Sequence, residues 1–229
     1  MNRVFPILGI LTAILLSYAL YQALVVAPTE QTMGNVQRIF YYHVPSAWTA
    51  FLLFLINFIA SVVYLVRRNP AADVIALVTG EVGVVFCTVV LVTGPLWARP
   101  VWGIWWTWDI RLTSTLVLWL IYIAYLMLRR FSTSGQTPVL AAALAVFGAL
   151  DVPLVYFSIW IFRTQHPQPV IGGGGSIDPV MLHVLLINWA AFLCLAVLVC
   201  WSRFHLEMLQ REVEQAQALE SLIASPRAR

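Results

Sequence analysis

Five of the ten tryptophans fall in the twelve residues from Trp97 to Trp108, within the run Trp97-Ala98-Arg99-Pro100-Val101-Trp102-Gly103-Ile104-Trp105-Trp106-Thr107-Trp108-Asp109. Indole faces stack on flat, extended π-systems or cradle a cation, so a planar aromatic or a quaternary ammonium is the ligand that suits such a cluster. If part of the run is helical, Trp102, Trp105, Trp106 and Asp109 share a face at i, i+3, i+4 and i+7. The competing explanation is an aromatic belt at a membrane interface. A belt spreads its residues over every span, whereas these crowd into one loop. Two histidines offer a second chemistry, because imidazole is the commonest metal ligand. His43 follows Gln37-Arg38-Ile39-Phe40-Tyr41-Tyr42, where Val36, Phe40 and His43 recur at i, i+4 and i+7 and place the ring on the apolar face of an interfacial helix. His166 lies in Arg163-Thr164-Gln165-His166-Pro167. Arg38 and Arg111 can donate forked hydrogen bonds to carboxylates, or simply anchor helices at an interface.

The elements that must position these residues are membrane helices. Of 229 residues, 61% are hydrophobic and 10% charged, against about 25% charge in an ordinary soluble domain, and the mean hydropathy is +0.86. A helical crossing of a bilayer needs roughly 20 apolar residues, and six such stretches fall at about 4–26, 46–66, 74–97, 113–128, 138–162 and 181–201. The fold class is therefore all-α, a polytopic membrane bundle of six transmembrane helices. The first stretch, preceded by Arg3, is longer than an ordinary signal-peptide core and reads as an uncleaved helix. By parity, Arg3, Arg67, Arg68, Arg129, Arg130, Arg203, Arg211, Arg227 and Arg229 share one side of the membrane and Arg38, Arg99, Arg111 and Arg163 the other. The positive-inside rule puts the first set, with both termini, in the cytoplasm. Residues 1–202 form the membrane domain, with the tryptophan loop at about 97–113 outside, and 203–229 a cytoplasmic helical tail. Four Arg and four Glu cancel in that tail, leaving a solvated helix or one that docks a cytoplasmic subunit.

This topology brings the candidate residues to one face. His43, His166 and the tryptophan loop all lie outside, and two imidazoles beside an indole shelf suit axial ligation of a haem iron with the porphyrin resting on indoles. A quaternary ammonium gives the imidazoles no such task. Arg38 and Arg111 then become candidates for the two propionates. Cys87, Cys194 and Cys200 fall inside spans and form no C-x-x-C-H motif, so haem is held without thioether bonds and the thiols read as packing groups. His183 competes with His166, since Asp178 and Pro179 look like the start of the sixth span and leave His183 near the outer surface. Glu81 and Asp151 lie inside spans, where an ionisable group marks either function or an interhelical hydrogen bond. Gly172 to Gly175 lacks the spacing of a dinucleotide loop or P-loop and reads as a hinge, so nucleotide chemistry has to come from a partner. The net charge of +3, carried by 13 Arg with no Lys, forms no basic stripe, which excludes a nucleic-acid partner.

On these residues the chain closely resembles the cytochrome c maturation protein C family, haem-handling membrane subunits of System I cytochrome c assembly. The matching stretches are Gln37 to Trp48, Gly94 to Leu118 around the "WWD" signature, and Asp151 to His166 with Ser176-Ile177-Asp178-Pro179. The resemblance implies haem b bound non-covalently on the outer face of the bacterial plasma membrane. Trp102, Trp105, Trp106, Trp108 and Asp109 of the WWD loop are its contacts, with His43 and His166 as axial ligands. It implies an ABC-type complex with an ATP-binding cassette subunit, a second multi-pass subunit and a small single-span protein, and a periplasmic haem chaperone as acceptor. The expected function is haem delivery, with no catalysed bond change. The rival class is a membrane enzyme acting on a lipid-linked substrate, with His43, Asp109 and His166 as acid, base or metal ligands.

Overall fold

The computed structural model describes residues 4–162, 164–169 and 177–224. Arg3, Arg163, the Gly172 to Gly175 run, Ser176, Arg227 and Arg229, all used in reading the sequence, lie outside the described residues. Among the described residues seven α-helices follow in order: α1 Val4–Tyr21, α2 Phe40–Arg67, α3 Pro70–Trp102, α4 Ile110–Phe131, α5 Thr137–Ala149, α6 Asp151–Ile161 and α7 Pro179–Ala224. A π-turn, Gln22–Val26, extends α1, and a 3₁₀ turn, Asn35–Ile39, leads into α2. Counting α5 with α6, six helical segments are long and apolar enough to cross a membrane. The fold class matches the hydropathy reading.

Local chemistry sets the helix ends. Asn69 caps α3 by accepting from the Ala71 and Ala72 amides, with Pro70 at the first helical position, where its missing N–H is not needed. Gly103, at φ 80°, closes the other end. Asp109 caps α4 by accepting from the Leu112 amide. The fourth span, short by hydropathy alone, is thereby a 22-residue helix. His43 stands one turn inside α2, which runs unbroken from Phe40 to Arg67, so the interfacial segment and the second span are one helix.

α2 and α3 form the centre, with α4, α5 and α7 packed around them, α6 on α4 and α1 on α7. Small residues let the central helices approach closely. A Cβ at Gly83 would lie 2.7 Å from the Phe54 ring and one at Gly80 2.9 Å from Tyr125. Phe54 in turn stacks on Tyr122 at 3.9 Å between ring centres.

At the end of the bundle remote from the tryptophan loop, charges join the helices. Asp73 of α3 receives Arg129 of α4 through two 2.8 Å hydrogen bonds and Arg211 of α7 through a third. Eight residues on, about 12 Å along the helix, Glu81 accepts from Arg203 of α7 at 2.8 and 2.9 Å. Glu81 thus makes an interhelical ion pair, where the sequence left function or an interhelical hydrogen bond open. α7 is continuous through residues 202 and 203, and Arg203 and Arg211 bind it to α3 beyond the point where the apolar run stops. The tail therefore begins as a packed helix rather than a solvated one.

Asp73, 3% exposed, is the carboxylate that compensates the nearly buried Arg129, while Arg211 shares it and also pairs with Glu207. Asp73→Ala leaves the Arg129 charge uncompensated and is expected to cost about 3–5 kcal/mol. Thermal unfolding of the detergent-purified protein should show a large fall in Tm, and an unchanged Tm would contradict this role.

Candidate functional site

A cavity of about 730 Å³ opens at the tryptophan-loop end, within the size range of pockets that enclose a cofactor-sized ligand. His43 from α2, Trp97 and Trp102 from α3, Trp106 from the α3–α4 loop, Arg111 from the first turn of α4 and His166 from the α6–α7 connection all line it. Trp48 of α2 and Trp189 of α7 form a further aromatic wall, edge to face at 5.2 Å.

The two imidazoles are neighbours in the cavity wall, with ring centres 6.4 Å apart and planes inclined by 32°. Hydrogen bonds determine which nitrogen each can offer. The Thr93 hydroxyl donates to the Val89 carbonyl at 2.7 Å, so toward His43 its oxygen acts as acceptor, and the 2.8 Å contact with Nδ1 places the proton on that nitrogen. His166 Nδ1 donates to the Pro167 carbonyl at 2.9 Å, which fixes the same tautomer. Both rings therefore keep the Nε2 lone pair free, the arrangement in which an outer partner orients a metal-ligating histidine. Burial first, and then the positive charge of Arg111, lower His166 to about 3, so its imidazole is neutral at every ordinary pH. Two nitrogens each about 2.0–2.1 Å from one metal ion put ring centres roughly 6–6.5 Å apart, and the spacing of these two rings is of that size.

The remaining walls suit a flat ligand with an acidic edge. Trp97 and Trp102 meet edge to face at 5.2 Å, which leaves indole surface toward the cavity. Trp106 Nε1 is buried with no acceptor among the described residues, an orphan donor that an anionic oxygen would satisfy. Arg111 spends one hydrogen bond on the Val155 carbonyl, at 3.3 Å, and its guanidinium borders the cavity.

Other expected contacts lie elsewhere. Because Gly103 ends α3 and residues 103–109 are non-helical, Trp102, Trp105, Trp106 and Asp109 do not share a helical face. Trp105 and Trp108 point away from the cavity, 56% and 76% exposed. Asp109 turns one oxygen to its helix cap and the other to the Thr107 and Thr164 hydroxyls, and does not line the cavity. Arg38 donates to the Ala23 carbonyl at 2.7 Å and to Asn35, and joins the 3₁₀ turn to the π-turn after α1 outside the cavity wall. Sequence reading missed Thr93, Trp48 and Trp189. All three sit within hydrophobic spans, where helix rotation is not legible from hydropathy.

Two imidazoles, several indoles and a half-buried arginine thus line one cavity at one end of a membrane protein with six helical segments long and apolar enough to cross a bilayer. Residues 1–219 match the family model for heme exporter protein C. The chain is 37% identical to heme exporter protein C of Bradyrhizobium diazoefficiens over 222 residues, covering 96% of this chain and 84% of that protein. It is 30% identical to heme exporter protein C of Escherichia coli K12 over 219 residues, covering 95% and 89% respectively. A putative cytochrome c biosynthesis ccmC-like mitochondrial protein of Marchantia polymorpha is 34% identical over 179 residues, or 78% of this chain and 76% of that protein. The chain belongs to the heme exporter protein C family. Membership implies a role in haem handling for cytochrome c biogenesis, within a complex with other subunits.

Thr93→Val keeps the shape of the side chain but removes the acceptor that holds His43 in its Nδ1–H form. Loss of such an outer partner weakens metal affinity about 10–100-fold. Haem titration of the purified variant should show a fall of that order, and wild-type affinity would exclude the orienting role.

Proposed function

We propose that the cavity binds haem non-covalently, with the iron between His43 and His166, the porphyrin against Trp102 and Trp106 and a propionate at Arg111. The observation that carries this reading is the pair of neighbouring imidazoles, each with Nδ1 engaged and Nε2 free. The unpartnered Trp106 Nε1 and the border position of Arg111 add donors for carboxylates. Each axial histidine supplies a neutral nitrogen, so haem can bind and leave without a proton crossing the site.

By the distribution of arginines the site faces the periplasm, in a multi-pass protein of the bacterial inner membrane with both termini in the cytoplasm. Its task is delivery: haem held at the surface passes to a periplasmic chaperone. ATP hydrolysis belongs to a cassette subunit, and a second multi-pass subunit and a small single-span protein complete the complex. Residues 1–202 serve as the haem-bearing domain, and the helix beyond 203 carries the connection to the cytoplasmic side. Trp105 and Trp108, exposed on the loop that borders the haem, are free to meet the acceptor. Arg38 supports the site by holding α1 to the start of α2. The rival, a membrane enzyme acting on a lipid-linked substrate with His43, Asp109 and His166 as acid, base or metal ligands, is disfavoured because both Asp109 carboxylate oxygens are engaged by amide and hydroxyl donors.

The visible spectrum of the purified protein, as isolated and after haem addition, tests the reading. A Soret band with the six-coordinate low-spin signature is expected. Trp106→Ala should lower haem retention by about 1–3 kcal/mol of stacking and burial, and Trp108→Ala should leave it intact. No Soret band even after haem addition would favour the enzyme.

A further inference from the structure

His166 lies in the described segment 164–169, a loop that belongs to neither α6 nor α7. A ligand on such a loop is aimed only if something holds the loop. Among the described residues, one hydrogen bond joins segment 164–169 to the rest of the chain, from the Thr164 hydroxyl to Asp109 Oδ2 at 3.1 Å. Thr164 Oγ1 also accepts from the His166 amide at 3.0 Å, so the same oxygen sets the turn that carries the imidazole. Asp109 is in turn immobilised by its other oxygen, Oδ1, which caps α4 at 3.0 Å, and by Thr107 at 3.3 Å on Oδ2. The sequence of contacts runs from the α4 N-terminus through Asp109 and Thr164 to His166, and Arg111, two residues into the same helix turn, borders the same cavity.

From this we infer that Asp109 and Thr164 are positioning residues: the Thr164 hydroxyl ties the His166 loop to the Asp109 carboxylate, and the tie sets where the His166 imidazole stands relative to His43 and the tryptophan loop. Asp109 acts through Thr164 and does not touch haem. The inference rests on the haem reading above, and it assigns the acidic member of the tryptophan motif a different task from its neighbours. It also brings in Thr164, which no motif singles out. A carboxylate suits the task because it can accept from an amide at one oxygen and two hydroxyls at the other, whereas an amide side chain in its place would present a donor to one of them.

Two substitutions isolate the tie. Thr164→Val removes the hydroxyl with little change of shape. Asp109→Ser keeps a good helix cap for α4 but is too short to reach Thr164. In the full-length protein loaded with haem, both variants should lose the six-coordinate low-spin signature and release haem roughly tenfold to a hundredfold faster, as expected for a lost hydrogen bond to a charged group. Added imidazole should restore the spectrum, which a merely unfolded or disrupted pocket would not permit. The double variant should be no worse than either single one, and Thr164→Ser should behave as wild type. In the haem-free protein, amide exchange over residues 162–169 should rise in Thr164→Val while the transmembrane helices stay protected. A wild-type spectrum and wild-type exchange in Thr164→Val would overturn the tie. Haem loss that imidazole cannot restore would overturn it too, by making Asp109 and Thr164 part of the pocket itself. Faster exchange in a protein whose wild type never shows low-spin haem would instead defeat the haem reading and leave only a loop tether.

Discussion

His43 and His166 reach one cavity from opposite halves of the chain, with ring centres 6.4 Å apart and hydrogen bonds at their Nδ1 atoms that leave both Nε2 atoms unengaged. Everything else at this end of the bundle follows from holding that spacing. Thr93 belongs to α3, so the tautomer of a histidine on α2 depends on the packing of α2 against α3. That packing is set in turn by two glycines of α3, Gly83, which admits the Phe54 ring, and Gly80, which admits the Asn57 amide. The second imidazole has no helix of its own and takes its place from the loop that also carries the indoles.

The opposite end supplies rigidity of another kind. In a bilayer the apolar surfaces of helices gain little by meeting one another, so close packing and polar contacts decide the arrangement. Here Asp73 gathers α3, α4 and α7, and Glu81 repeats the connection to α7 about 12 Å further along. With α3 running from this cluster to Trp102, one helix joins the charged end to the aromatic wall. The helix that carries Arg203 and Arg211 also leaves the bundle toward residue 224, so anything that engages its far end acts on a rod fixed to α3 at two points.

The fold was legible because hydropathy is a property of runs. All six apolar stretches became crossings, and the excess of tryptophan in one segment did mark the wall of a cavity. What escaped the sequence depended on local backbone geometry. Gly103 ends α3 one residue after Trp102, and the helical face drawn through Trp102, Trp105, Trp106 and Asp109 dissolves with it, sending two indoles inward or along the wall and two outward. Asp109 before an apolar helical run is a recognisable cap signal, and reading it so would have separated it from the indoles. Thr93, Thr164, Trp48 and Trp189 carried no such mark. Their roles come from the rotation of a helix or the meeting of two loops, which residue spacing in one chain does not encode. Glu81 was visible as an anomaly, but its partner Arg203 lay in a segment read as tail.

In the proposed haem site, two neutral imidazoles from separate elements hold one iron. Electron paramagnetic resonance of the ferric haem-loaded protein measures this directly, because bis-histidine iron is low-spin and iron with one histidine is not. The wild type should give a low-spin ferric spectrum, and His43→Ala and His166→Ala should each convert it to high-spin, with imidazole restoring both. A low-spin spectrum that survives either substitution unchanged would place the iron on another ligand and contradict the account.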